Sequence, residues 1–213
     1  PAGRIFLEVP DAAAYPDHIH APFQDFNTEH INHFSTASVD NLLVPFGFSR
    51  CLEDRFLMDV TAMIGCPSLE VAYERREGAL AAGGRPAAGW KVDAEFRKLM
   101  ERYISDSRSF MQKLDGQLAE ALAGSTEFIL WGTGQLAMKL LCDTALKDAR
   151  LLACVDGNSV NFGKRLRGVP ILPAERIPSQ TVPIIITTLM HADEIRSRIR
   201  GLGLKNPIVS LSA

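Results

Sequence analysis

A chain of 213 residues has room for one large domain or two small ones, and its 46% hydrophobic and 23% charged content is that of an ordinary globular protein. The formal charge of −2 excludes the basic excess that would draw a nucleic acid backbone, and no apolar run approaches the roughly 18 residues of a membrane-spanning helix. Cys51, Cys66, Cys142 and Cys154 form no C-x-x-C pair, so they read as reduced thiols of a cytoplasmic protein rather than as a zinc site.

The chain opens without Met and runs almost at once into apolar RIFLEVP, Arg4–Pro10, a predicted buried strand. It therefore reads as the middle of a larger protein. A long irregular loop is expected from Asp11 to about Phe34, with two prolines and four of the five histidines. Ser35 or Thr36 is placed to cap a short helix ended by Pro45 and Gly47. SRCLEDRFLM and SLEVAYERRE then predict two antiparallel strands, the second turning Leu69, Val71 and Tyr73 inward.

The stretch Gly78–Gly89 is rich in Gly, Ala and Pro and reads as a linker. Beyond it, Val92, Phe96, Leu99, Tyr103, Phe110, Leu114, Leu118 and Leu122 recur mostly three or four apart. That stripe predicts one helix of about seven to eight turns, closed by Gly124 and long enough to bridge two domains. From there strand and helix patterns alternate: TEFILWG, GQLAMKLLCDTAL, RLLACVD, then VPIIITT, HADEIRSRIRGLG and NPIVSLS. The fold class is α/β, with a small Rossmann-like parallel-sheet domain over 124–213.

Two segments carry candidate chemistry. WGTGQLA, Trp131–Ala137, follows a strand and opens a helix, as a G-x-G-x-x-G/A turn does. Gly132 would permit the turn, Gly134 would let backbone approach a phosphate, and Asp156 would reach a ribose. The same residues equally suit a turn that serves packing alone. The second segment is FNTEHINHFS, Phe26–Ser35, preceded by His18 and His20. With Asp25 and Glu29 these imidazoles have the donor types of a metal site, though no H-E-x-x-H spacing. They also suit proton transfer by one histidine beside a carboxylate, or a group of surface histidines.

Taken in order, PAGRIFLEVPD, E-H-x-x-x-F-S, SVDNLLVPFGF, the strand–G-x-G–helix FILWGTGQLAMKLL and LLACVDGNSVNFGKRLRGVPILPAE resemble a family. It is that of the class I S-adenosylmethionine-dependent sugar C-methyltransferases and their relatives. The resemblance covers nearly the whole chain. It implies the tail of a methyltransferase sheet over 1–90, a bridging helix over 91–123 and the family's C-terminal domain over 124–213. It implies S-adenosylmethionine as donor, bound mostly by residues upstream of this chain, and a nucleotide-linked sugar as acceptor.

By the same match His30 is the general base and Glu29 its partner or a ligand of a substrate hydroxyl. His33, which stands where the family has an aromatic residue, is expected on the substrate, as are Gly132, Gly134 and Asp156 of the glycine turn. Abstraction of a proton beside a ketone gives an enolate that takes the methyl group. The family's Tyr two residues before the Glu is Asn27 here, which leaves O-methylation of a sugar hydroxyl open beside C-methylation. By this reading the chain is inactive alone. The other readings are a non-catalytic ligand-binding or assembly module and, further off, a fragment of an NAD-dependent oxidoreductase.

Overall fold

Ile5, Leu7 and Val9 alternate with outward residues along β1 (Arg4–Pro10), and this period of two sets the architecture of the chain's first unit. The computed structural model describes residues 3–28, 30–61, 64–75, 90–177 and 181–212, and it divides into two compact units. The first holds residues 1–19 and 25–105, the second 20–24 and 106–213. The expected linker Gly78–Gly89 lies outside the described residues.

In the first unit β1 is followed by a 3-10 turn, Ala12–Asp17, within the expected loop. The Asp11 side chain starts that turn by accepting from Ala13 N at 3.2 Å. Helix α1 (Thr36–Leu43) begins at Ser35, where Ser35 and Ser38 cap each other reciprocally. It ends through a 3-10 turn at Gly47, whose φ of 84° suits glycine. Strands β2 (Phe48–Thr61) and β3 (Ile64–Arg75) form the expected antiparallel pair, and both run longer than the pattern implied.

The sheet order is β1–β3–β2, with β3 antiparallel to both neighbours. Leu69, Val71 and Tyr73 are fully buried on one face, packed with Ile5, Leu7, Val9 and Val39 of α1. On the opposite face, Phe6, Leu52 and Phe56 are exposed.

Helix α2 (Ala94–Ala121) begins where Asp93 Oδ1 accepts from Phe96 N at 2.9 Å. Val92 therefore falls ahead of the helix and is 88% exposed, which corrects its place in the apolar stripe. Tyr103 of α2 is buried with Ala12 and Tyr15, beside Phe26, Phe96 and Met100. Tyr103 Oη accepts from Asp25 N at 3.0 Å, which fastens the histidine loop to this packing.

The second unit is a six-stranded sheet of order β6–β7–β5–β4–β8–β9. Its strands are β4 (Glu127–Trp131), β5 (Arg150–Val155), β6 (Arg165–Leu166), β7 (Val169–Leu172), β8 (Ile184–Ile186) and β9 (Ile208–Ser210). All pairings are parallel except β6–β7, so the α/β Rossmann-like class holds. The four-residue β7 lies between RLLACVD and VPIIITT, where the sequence pattern predicts no element. It follows a tight hairpin whose two central residues, Arg167 and Gly168, both have positive φ.

Both faces of this sheet are covered. Phe128 and Leu130 pack with Leu114 and Leu118 of α2 and Leu140 of α3 (Gln135–Asp143). Ile129 and Trp131 pack with Ile199 of α4 (Ala192–Gly201). Coverage on both sides is why these strands read as continuous apolar runs. No helix among the described residues is long and apolar enough to cross a membrane.

Candidate functional site

The residues that end β1 and begin β3 line a half-open cavity of about 210 Å³ together with the histidine loop. Glu8 comes from β1, Met58 from β2, and Cys66 and Ser68 from β3; Tyr15, Asp25 and His30 come from the loop. The cavity lies on the sheet face opposite α1, since Glu8, Met58, Cys66 and Ser68 share the outward register with Ala72. Its wall is fixed by backbone: Asp11 N donates to Pro67 O at 2.9 Å and Ala12 N to Phe34 O at 3.2 Å. Asp11 is itself held by Arg55, whose guanidinium lies 2.6 Å from Oδ2 while the Asp11 side chain is only 3% exposed. Arg55 also donates to Thr36 Oγ1 at 2.9 Å, which ties the wall to the first turn of α1.

His30 is solvent-exposed and lines this cavity. Its backbone N–H donates to Asn27 Oδ1 at 2.8 Å, so Asn27 shapes the turn that presents the imidazole. Glu29 lies outside the described residues. His33 is half-buried away from the cavity lining, with its ring against Tyr15 (centroids 5.8 Å apart) and Phe26 (4.9 Å). Burial lowers the His33 pKa, opposed by Asp25 and reinforced by His30, so this ring favours its neutral form. Its Nδ1 is buried without a hydrogen-bond partner among the described residues.

The remaining early histidines separate. His18 ends the 3-10 turn, donating its N–H to Tyr15 O at 3.1 Å, and belongs to the first unit. His20 belongs to the second, where its N–H donates to Gln24 Oε1 at 2.7 Å. No cluster of three or more His, Cys, Asp or Glu among the described residues is arranged to hold a metal ion.

Sequence reasoning missed Tyr15 and Cys66 as cavity residues. Tyr15 is 1% exposed, and its hydroxyl is buried with no partner among the described residues. Burial first, then the carboxylates of Asp25 and Asp11 and the Cys66 sulfur, hold the phenol far above its ordinary pKa. Burial and Asp25 likewise push the Cys66 thiol up, so it stays protonated and weakly nucleophilic at neutral pH. An isolated Tyr in DAAAYPD carries no periodic signal, so only the packing against Tyr103 reveals its place.

In the second unit Gly132, Gly134 and Asp156 come together at the carboxyl ends of β4 and β5. Strands β5 and β8 flank β4 on opposite sides, the switch point at which open α/β sheets bind ligands. The turn itself is tightly occupied by protein. Gly132 has a φ of 101°, and a Cβ there would lie 2.7 Å from Thr187 Oγ1. The Thr187 hydroxyl is within hydrogen-bond distance of both Trp131 O (3.1 Å) and Gly132 O (2.9 Å). Gly134 faces open space and starts α3 without a side-chain cap.

Asp156 accepts from Thr133 N at 3.1 Å and from the Thr133 hydroxyl, from Asn158 N at 2.8 Å and from Asn161 Nδ2 at 3.2 Å. Three of these donors converge on Oδ2 and one on Oδ1, so the turn takes up most of a carboxylate's roughly four acceptor sites, the capacity that a ribose would need. Burial alone would raise the Asp156 carboxyl, but these hydrogen bonds outweigh it and hold the pKa below the ordinary value.

The chain matches no protein-family model, and no curated protein is significantly similar to it.

Proposed function

We propose that this chain carries the acceptor side of an S-adenosylmethionine-dependent methyltransferase acting on a nucleotide-linked sugar or similar small molecule, with His30 as general base. One juxtaposition supports the reading above others: the exposed imidazole of His30 lines a cavity together with Tyr15, Asp25 and Glu8. An imidazole at the solvent boundary can take a proton from a bound carbon acid or hydroxyl and release it to water. Asn27 stands where the resembled family has Tyr, and its amide oxygen is engaged by the His30 N–H. Both C- and O-methylation accordingly remain within this reading.

The methyl donor, when bound, supplies an electrophilic methyl group. The described residues of the first unit do not fit it: their one glycine at positive φ, Gly47, closes α1, and no glycine loop follows a parallel strand there. In this reading the donor is held by residues other than these. The exposed Phe6, Leu52 and Phe56 accord with a sheet face that the rest of such a catalytic domain covers.

For the second unit a specific observation favours the alternative of a non-catalytic module. Its glycine turn is explained by Thr187, Asp156 and their hydrogen bonds without any ligand. Titration of the protein and of its Asp156→Asn variant with NAD and with a nucleotide sugar separates the two, since silence from NAD and sugar binding unchanged by the substitution favour the structural turn.

Methyl transfer by the intact protein carrying His30→Gln tests the main reading. We expect the rate to fall by roughly 10²–10⁴-fold, the usual contribution of a general base, with the fold unchanged by circular dichroism. A rate near that of the unsubstituted protein removes His30 from the mechanism.

A further inference from the structure

We infer that the phenol of Tyr15 is the hydrogen-bond donor this cavity offers to an oxygen of its ligand, and that the neutral sugar end of the acceptor, rather than its phosphates, occupies the cavity. The inference rests on the acceptor-site reading above and deepens it.

The phenol is held in place from several sides. Tyr15 packs against Tyr103 at 5.4 Å between ring centroids and against His33 at 5.8 Å, and its carbonyl accepts from His18 N. The 3-10 turn that carries it starts from Asp11, which Arg55 anchors. A rigid hydroxyl that is buried and unpartnered among the described residues is unusual, because native proteins pair most of their buried polar groups. Tyr15 lines a cavity, so its missing acceptor is most simply one that a ligand brings. With the phenol held protonated, it donates at neutral pH and does not accept as a phenolate.

Electrostatics orient the ligand. Glu8 and Asp25 line the cavity, and the Asp11 carboxylate lies close enough to act on Tyr15. A diphosphate there would face like charges, whereas sugar hydroxyls can donate to those carboxylates. The volume of about 210 Å³ is below the roughly 300–1,000 Å³ of pockets that take drug-sized molecules. It suits one ring rather than a whole nucleotide. A carbonyl or hydroxyl oxygen donated to by Tyr15 would then lie in the cavity that His30 lines, where a phenol stabilises developing negative charge.

Calorimetry on the intact protein without methyl donor tests this, using a nucleoside-diphosphate-linked keto hexose and the nucleoside diphosphate alone as probes. We expect Tyr15→Phe to weaken binding of the keto hexose about tenfold, the scale of one lost hydrogen bond, and to leave the nucleoside diphosphate alone unaffected. The melting temperature of Tyr15→Phe should equal or exceed that of the unsubstituted protein, because the removed hydroxyl has no internal partner. A lowered melting temperature, or keto-hexose binding unchanged by the substitution, overturns the role of Tyr15 while leaving His30 untouched. Failure of the unsubstituted protein to bind the keto hexose overturns the acceptor-site reading and this inference with it.

Discussion

The hydroxyl of Ser35 donates to Asp93 Oδ2 at 2.7 Å, so the residues that start α1 and α2 hold each other across 58 positions of sequence. Each also caps its own helix: Ser35 Oγ accepts from Ser38 N at 3.3 Å, and Asp93 Oδ1 accepts from Phe96 N at 2.9 Å. Ser35→Ala should therefore cost about 1 kcal/mol or somewhat more, at the upper side of typical cap losses. In a double-mutant cycle by urea denaturation, Ser35→Ala and Asp93→Ala should cost less together than the sum of their separate effects. Additive losses would mean that the two caps act independently.

The two glycines of the WGTGQLA turn should respond differently to alanine. Gly132→Ala forces a side chain into positive φ and against the Thr187 hydroxyl, so it should lower stability by more than about 1 kcal/mol. Gly134→Ala meets open space at a φ of −74° and should change stability by no more than about 0.5 kcal/mol. Thermal melts of the two variants check this. Equal losses would contradict the assignment of Thr187 as the group that requires glycine.

Asp156 should impose a pH dependence on stability. Its folded pKa lies below the ordinary 3.8, so its contribution is complete above that value, where folded and unfolded chains are both ionised. As pH falls below 3.8 the unfolded chain takes up the proton first. The contribution is then lost as pH passes through the folded pKa. Denaturation of the unsubstituted protein and Asp156→Asn across this range should show a constant gap at neutral pH that narrows in acid. A gap independent of pH would show that the charge is not what the turn holds.

Much of this architecture was legible because it follows from period. The alternation of Leu69, Val71 and Tyr73 and the stripe through Tyr103, Leu114 and Leu118 are local patterns, and their burial follows directly. The two-stranded hairpin of β6 and β7 was not legible, because its turn uses Arg167 at a φ of 50°, where Asn or Asp would have given the signal. The candidate site was half legible. His30 stood out by residue type, whereas Tyr15 and Cys66 join the cavity through strand register and loop packing that no window of sequence contains. For Asp156 the position was right, but only the donors around it show where its acceptor capacity goes.

The clasp of Arg55 on Asp11 bears on how a ligand is met. Asp11 sets the 3-10 turn, donates to Pro67 and bridges to Phe34, so the wall behind Tyr15 is ordered when the chain folds. The entropy of fixing that wall is then charged to folding and not to association. A ligand therefore meets a wall at Tyr15 that is already in place, with no ordering of that wall left to do.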